Sequence, residues 1–178
     1  MKLRLIAGEL KGRSIEVPKK FSAHPMGERI RSALFNSLAG RLDGASVLDA
    51  FGGSGACGFE ALSRGASSIY IIEKDRSVFR YLNKNIKSLK LDEDPRINIS
   101  KAPAFTYLKA NTKLFFDVII CDPPFEVASR ELNESSVNTP LGETLSLIAS
   151  RLKKDGILIL NWPDSTKLPE LNGLSLLK

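Results

Sequence analysis

Residues 45–66 read ASVLDAFGGSGACGFEALSRGA. An apolar run interrupted by Asp49 ends in three glycines, Gly52, Gly53 and Gly55, and then passes into a segment of helical composition near 55–64. A strand that turns sharply into a helix is the opening unit of an α/β fold. Glycines there allow a tight turn and a close approach of backbone to ligand, and the helix start offers amide hydrogens. Gly53, Gly55 and Gly58 nearly reproduce the G-x-G-x-x-G spacing of dinucleotide-binding turns. The turn alone is weak evidence, because many α/β proteins use one simply to change direction. No Lys-Ser/Thr pair for a phosphate loop follows it. Asp49 would repel a pyrophosphate and suits a ligand with an ammonium or a sulfonium.

The same rhythm continues outward. Strands are expected at ASVLDAF (45–51), SIYIIE (68–73), RINIS (96–100), FDVIICD (116–122) and GILILNW (156–162), with helices near 55–64, 75–90, 103–110 and 140–153. Nearly continuous apolar strands alternating with helices predict a doubly wound, mainly parallel sheet covered on both faces. Ligands on such sheets bind beyond the carboxyl ends of the strands, where the strand order reverses. The residues after each strand are therefore the ones to read for chemistry. After the second strand stands Glu73, 20 residues beyond Gly53, a spacing suited to accepting from ribose hydroxyls. An adenosine-type ligand fits the turn and the acid together, and on these features NAD stays open. After the third strand, Ala102 can pass its backbone alongside an adenine. After the fourth come Asp122, Pro123, Pro124 and Phe125. The prolines fix the backbone and remove two amide donors. That leaves acceptors beside an aromatic face, which suits a planar base carrying an exocyclic amine.

The front of the chain differs in charge. Residues 1–45 hold nine Lys/Arg and four Asp/Glu, a net of +5 out of +6 for all 178 residues. A basic front on a near-neutral body suits a polyanion such as nucleic acid, although a lysine-rich solvated surface reads equally well from charge alone. LRLIAG and RSIEVP, turned at Gly8 and Gly12, predict a small β-unit. GERIRSALFNSLAGRL (27–42) predicts a helix buried along Ile30, Ala33, Leu34, Leu38 and Leu42, with Arg29 and Arg31 facing away. No apolar run reaches the roughly 20 residues of a membrane span, and the N-terminus lacks the apolar stretch of a signal peptide. A cytoplasmic monomer is expected. Cys57 and Cys121 are far apart with no ligand-like neighbours, so neither a metal site nor a disulfide is expected.

RLIAGELKGRSIEVP, HPMGERIRSALFNSL, VLDAFGGSGACGFEALSRGA, IIEKD and DPPF, in that order over residues 4–125, resemble the RsmD family, which methylates a guanine amine in 16S ribosomal RNA. It belongs to the class I S-adenosylmethionine-dependent methyltransferases, whose core is Rossmann-like. The resemblance implies S-adenosylmethionine as cofactor. It implies a cofactor site of Asp49, Phe51, Gly52, Gly53, Ser54, Gly55, Glu73, Lys74 and Ala102, with Asp49 near the methionine amino group. Asp122, Pro123, Pro124 and Phe125 would hold the target base, and Lys11, Arg13, Arg29 and Arg31 would meet RNA phosphates. The partner would be 16S rRNA or an assembling small subunit. Residues 1–44 would form an RNA-facing extension and residues 45–178 the cofactor-binding core.

The chain departs from the family pattern in four places. Lys101 stands where many relatives have an acid or Asn to accept from the adenine amine, and lysine cannot accept. His24 replaces an arginine and reads as a positional variant, not a base. EVASRELNESSVNTP (126–140) reads as an extended polar loop, either a lid or a disordered segment. The sequence stops at LSLLK, where relatives continue into a closing edge strand, so either that strand is missing here or the sequence is a fragment. Another amino-methyltransferase, acting on adenine or on a protein glutamine, shares the proline motif. An inactive RNA-binding assembly factor of the same fold is the alternative of a different class.

Overall fold

The computed structural model describes residues 1–18, 26–132, 139–163, 171 and 173–175. Two short strands, β1 (Lys2–Arg4) and β2 (Ser14–Glu16), pair antiparallel and lead to helix α1 (Glu28–Ser37). Alternation then begins: β3 (Ser46–Asp49), α2 (Ala56–Ser63), β4 (Ser68–Ile72), α3 (Arg76–Ser88), β5 (Ile97–Ser100), α4 (Ala104–Ala110) and β6 (Phe116–Cys121). The chain continues through α5 (Phe125–Leu132), α6 (Pro140–Ala149) and β7 (Leu152–Leu160). The five later strands form one sheet in the order β5-β4-β3-β6-β7, each neighbouring pair parallel. This is the Rossmann-like α/β architecture expected from the strand–helix rhythm, with a β-unit and helix in front. The order reverses between β3 and β6, so Asp49 and Asp122 leave the sheet on either side of the reversal.

Strand residues alternate between two cores, as a period of two requires. Val47, Ile69, Ile71, Val118 and Ile120 face the cluster that holds α2, α3 and the front unit. Leu48, Ile72, Ile119 and Cys121 face the cluster built with α4, α5 and α6. Both faces of the sheet are thus covered, which explains why its strands are nearly all apolar.

The front unit is clasped to the sheet through α2. Glu60, fully buried, accepts from Ile6 N (2.8 Å), Ala7 N (3.2 Å) and Arg64 Nε (2.8 Å). Ser63 Oγ accepts from Leu10 N (2.9 Å) and donates to Ala7 O, while Ser63 O accepts from Glu9 N (2.8 Å). The turn can come this close only because Gly8 has no side chain. A Cβ there would lie 1.6 Å from Ser63 O, and its φ of +79° is itself a glycine conformation.

Several boundaries differ from expectation. The buried stripe of α1 and its continuation is Arg31, Phe35, Leu38 and Leu42, while Ile30 is 58% exposed and Ala33 is exposed. The face is rotated because the guanidinium of Arg31 is drawn inside by two backbone carbonyls. Helix α6 ends at Ala149, and β7 begins at Leu152 with an irregularity opposite Phe116–Val118, where Asp155 has a φ of +61°. The polar stretch after the proline motif is not an extended loop at its start: α5 occupies it, with Ala128 fully buried. His24, the 133–138 part of the loop and most residues after 163 lie outside the described residues. No helix among the described residues is long and apolar enough to cross a membrane. Cys57 and Cys121 are buried free thiols.

Candidate active site

Three acids converge at the carboxyl ends of adjacent strands. Asp49, at the end of β3, is buried, and its Oδ2 accepts from Gly58 N at 3.0 Å. This carboxylate occupies an amide of the α2 N-terminus, the place where a dinucleotide fold seats its pyrophosphate. The arrangement therefore favours a cationic ligand over NAD. Burial pushes the Asp49 carboxyl up to about 7 against the pull of the Gly58 amide, and the charges of Asp122 and Glu73 add to the rise. Glu73, just past β4, accepts from Gly53 N at 3.0 Å through Oε2 and from Asp75 N at 2.6 Å through Oε1. Burial raises its carboxyl too, opposed by those two amides. Each of its oxygens keeps a second lone pair for a ligand hydroxyl.

The glycine turn lies between these acids. Gly52 N donates to Ile72 O at 2.9 Å, and a Cβ on Gly52 would lie 2.1 Å from Ile71 Cγ2. A Cβ on Gly53 would meet only Phe51 O, at 4.0 Å, so space is open above the turn. Gly55 caps α2 with a φ of +89°. Ser54 is buried and its carbonyl accepts from Asn85 Nδ2 at 2.9 Å. Asn85, itself fully buried, also bonds both backbone groups of Glu16, so one α3 side chain joins the turn to β2. Phe51 and Ala102 are half-buried, while Lys74 and Lys101 are exposed.

Across the reversal, Asp122 is half-buried and its carboxyl is raised by burial. Its Oδ1 accepts from Asn161 Nδ2 at 2.8 Å. Asn161 follows β7 and was not singled out in the sequence; a lone amide at the end of a strand gives no pattern to find it by. Pro123 is buried, and Phe125 opens α5 with 47% of its surface exposed. The carbonyls of the motif are not all free, contrary to expectation. Pro124 O accepts from Val127 N (2.9 Å) and Ala128 N (3.1 Å) to start α5. Pro123 O accepts from no donor among the described residues.

The proposed phosphate contacts separate. Lys11 and Arg29 are exposed. Arg13 is half-buried, and its Nη2 donates to Ser88 O at 3.2 Å. Arg31 is a correction: it is 0% exposed and donates to Arg4 O (2.7 Å) and Met26 O (3.4 Å), so it braces the front unit and does not reach solvent.

Two buried acids and a half-buried third at one edge, open space over the turn and ribose-ready lone pairs on Glu73 fit a ligand carrying an ammonium, a sulfonium and a ribose. Comparison with known proteins agrees. The family described as Conserved hypothetical protein 95 matches residues 3–178. Ribosomal RNA small subunit methyltransferase D of Haemophilus influenzae is 36% identical over 164 residues, covering 90% of this chain and 84% of that protein. The protein of the same name from Escherichia coli K12 is 39% identical over 136 residues, covering 76% of this chain and 65% of that protein. The structure of a putative methyltransferase, yhhF, from Escherichia coli superposes with a TM-score of 0.79 at 31% identity, covering 97% of this chain and 87% of that one. The chain therefore belongs to the Conserved hypothetical protein 95 family and carries the class I S-adenosylmethionine-dependent methyltransferase fold.

Proposed function

We propose that the protein methylates the exocyclic amine of a guanine in 16S ribosomal RNA, using S-adenosylmethionine. The observation that carries this reading is the end of β6. There, a carboxylate, a Pro123 carbonyl unengaged among the described residues and an exposed Phe125 ring stand beside the acid-lined glycine turn. The names of the Haemophilus and Escherichia relatives support ribosomal RNA as the target.

Asp49, Phe51, Gly52, Gly53, Ser54, Gly55, Glu73, Lys74 and Ala102 would hold the cofactor. When bound, it supplies an activated methyl group on a sulfonium. The rest of the work falls to the chain. Phe125 offers a face for the base to stack on. Asp122 and Pro123 O accept from the amine and fix its direction, which supplies much of the rate by orientation alone. The amine nitrogen gains positive charge as it takes the methyl group, and an ionised Asp122 stabilises that charge where it develops. Proton loss can follow the transfer, so Asp122 need not act as a base first. The guanine must leave its stack to reach this edge. Residues 1–44 serve as the RNA-facing extension of the 45–178 core, through Lys11, Arg29 and the free part of the Arg13 guanidinium.

The test is incorporation of labelled methyl from S-adenosylmethionine into small-subunit particles, free 16S rRNA, DNA and protein, with Asp122→Ala alongside. Label is expected in the particle or the rRNA and is lost in Asp122→Ala. Label in DNA or protein would move the assignment to another amino-methyltransferase. RNA affinity with no methyl transfer to any substrate would favour an assembly factor.

A further inference from the structure

We propose that Asn161 is a positioning residue for the target amine: its side-chain amide binds Asp122 Oδ1, which orients the carboxylate and leaves Oδ2 to accept from the guanine. This rests on the methylation reading above. The geometry comes from the sheet. Strand β7 runs parallel to β6 with Cys121 opposite Leu160, so Asn161 comes level with Asp122. Its backbone N donates to Cys121 O at 2.9 Å, which prolongs the ladder by one bond. Its Nδ2 then lies 2.8 Å from Asp122 Oδ1. The donor is thus fixed by sheet register, not by a loop.

The surroundings make this donor necessary. Asp49 arrives from β3 and Glu73 from β4, both acidic. Cys57 of α2 and Cys121 of β6 are thiols held neutral by burial, and Glu126 stands exposed on α5. Burial raises the Asp122 carboxyl, the Asn161 amide opposes that rise, and no cation among the described residues contributes. A neutral carboxylic acid would present a hydroxyl donor to an amine that needs an acceptor. Asn161 therefore both aims the group and keeps it in its accepting form.

The experiment follows methyl transfer to 16S rRNA at saturating S-adenosylmethionine from pH 6 to 9. It compares wild type, Asn161→Leu and Asn161→Gln, with cofactor affinity and melting measured on each. In Asn161→Leu the acidic limb of kcat moves up by about one pH unit. Activity then falls on the acidic side of the profile, by at most about tenfold for a one-unit shift, and returns to within about threefold of wild type at pH 9, as the logarithmic pH scale requires. Cofactor affinity stays within about twofold, and Asn161→Gln, which keeps the donor, recovers part of the profile. If Asn161→Leu does not fold, Asn161→Ser, which keeps the backbone bond to Cys121, is measured in its place. Loss by one factor at every pH, or an unmoved profile, overturns the proposal while Asp122→Ala remains dead. If wild type transfers no methyl to RNA, or Asp122→Ala stays active, the methylation reading fails and Asn161 falls with it.

Discussion

Asp49 ends a buried strand with its carboxyl pushed up to about 7, so near neutral pH the ligand-free protein is divided between its charged and neutral forms. In the unfolded chain the same group titrates near its ordinary value, about 3.9. Between those values the folded state binds the proton and the unfolded state does not. This group therefore removes stability as pH rises from about 4 to about 7 and changes nothing further above that. Asp49→Asn has no charge to bury and keeps an oxygen for Gly58 N. It is expected to stabilise the ligand-free protein at pH 8 by about 2–4 kcal/mol, with a smaller gain at pH 5, as read from thermal melts. The same substitution weakens S-adenosylmethionine binding tenfold or more. Under the proposed role of Asp49, the cationic cofactor favours the ionised carboxylate of the wild type, and its affinity is expected to climb as pH rises through 7. Calorimetry near pH 6.5 in buffers of different ionisation heat detects the accompanying proton release, and its absence would contradict this role for Asp49.

Among the elements, the front β-unit is fixed by polar groups that α2 buries for that purpose. Gly8→Ala would drive a methyl into Ser63 O and is expected to cost about 3 kcal/mol or more. Gly12 has a similar φ of +80°, but nothing lies within 4 Å of where its Cβ would be, so Gly12→Ala costs only about 1–2 kcal/mol. Denaturant titration of the two variants separates contact from backbone strain. On α1, Arg29→Ala leaves stability unchanged, weakens RNA binding and lowers its salt slope by about one. Arg31→Ala strands two carbonyls and costs about 3 kcal/mol. A melt and a salt titration of RNA affinity distinguish the pair. Sequence reading put both arginines on the outer face because charge normally marks that face. It could not foresee that Arg4 O and Met26 O, distant in sequence from one another, meet over the helix and draw Arg31 in. Glu60 and Ser63 were hidden for the same reason, since their partners belong to a turn more than 50 residues away. Helix α5 was missed because two prolines and a polar stretch suggest a loop. In fact Pro124 supplies the carbonyl that starts the helix.

At the scale of the whole molecule, the sheet was legible because its strands are short, apolar and regularly spaced, and the two clusters on its faces follow from strict alternation. The placement of Asp49, Glu73 and Asp122 along one edge follows from the same pattern, since each ends a strand. What the pattern could not reveal is lateral: Asn161 beside Asp122, and Asn85 between Ser54 and Glu16, depend on which strand and helix become neighbours. That lateral arrangement brings the acid-lined glycine turn, proposed as the methyl-donor site, and the Asp122 edge, proposed to accept the amine, to one reversal point of the sheet, with a basic unit packed alongside. The most direct test is to react the protein with methyl-labelled S-adenosylmethionine and small-subunit particles lacking the modification, then digest the 16S rRNA to nucleosides. The account predicts label in N2-methylguanosine at a single position. Label in an adenosine derivative, in ring-methylated guanosine or in no RNA nucleoside would contradict it.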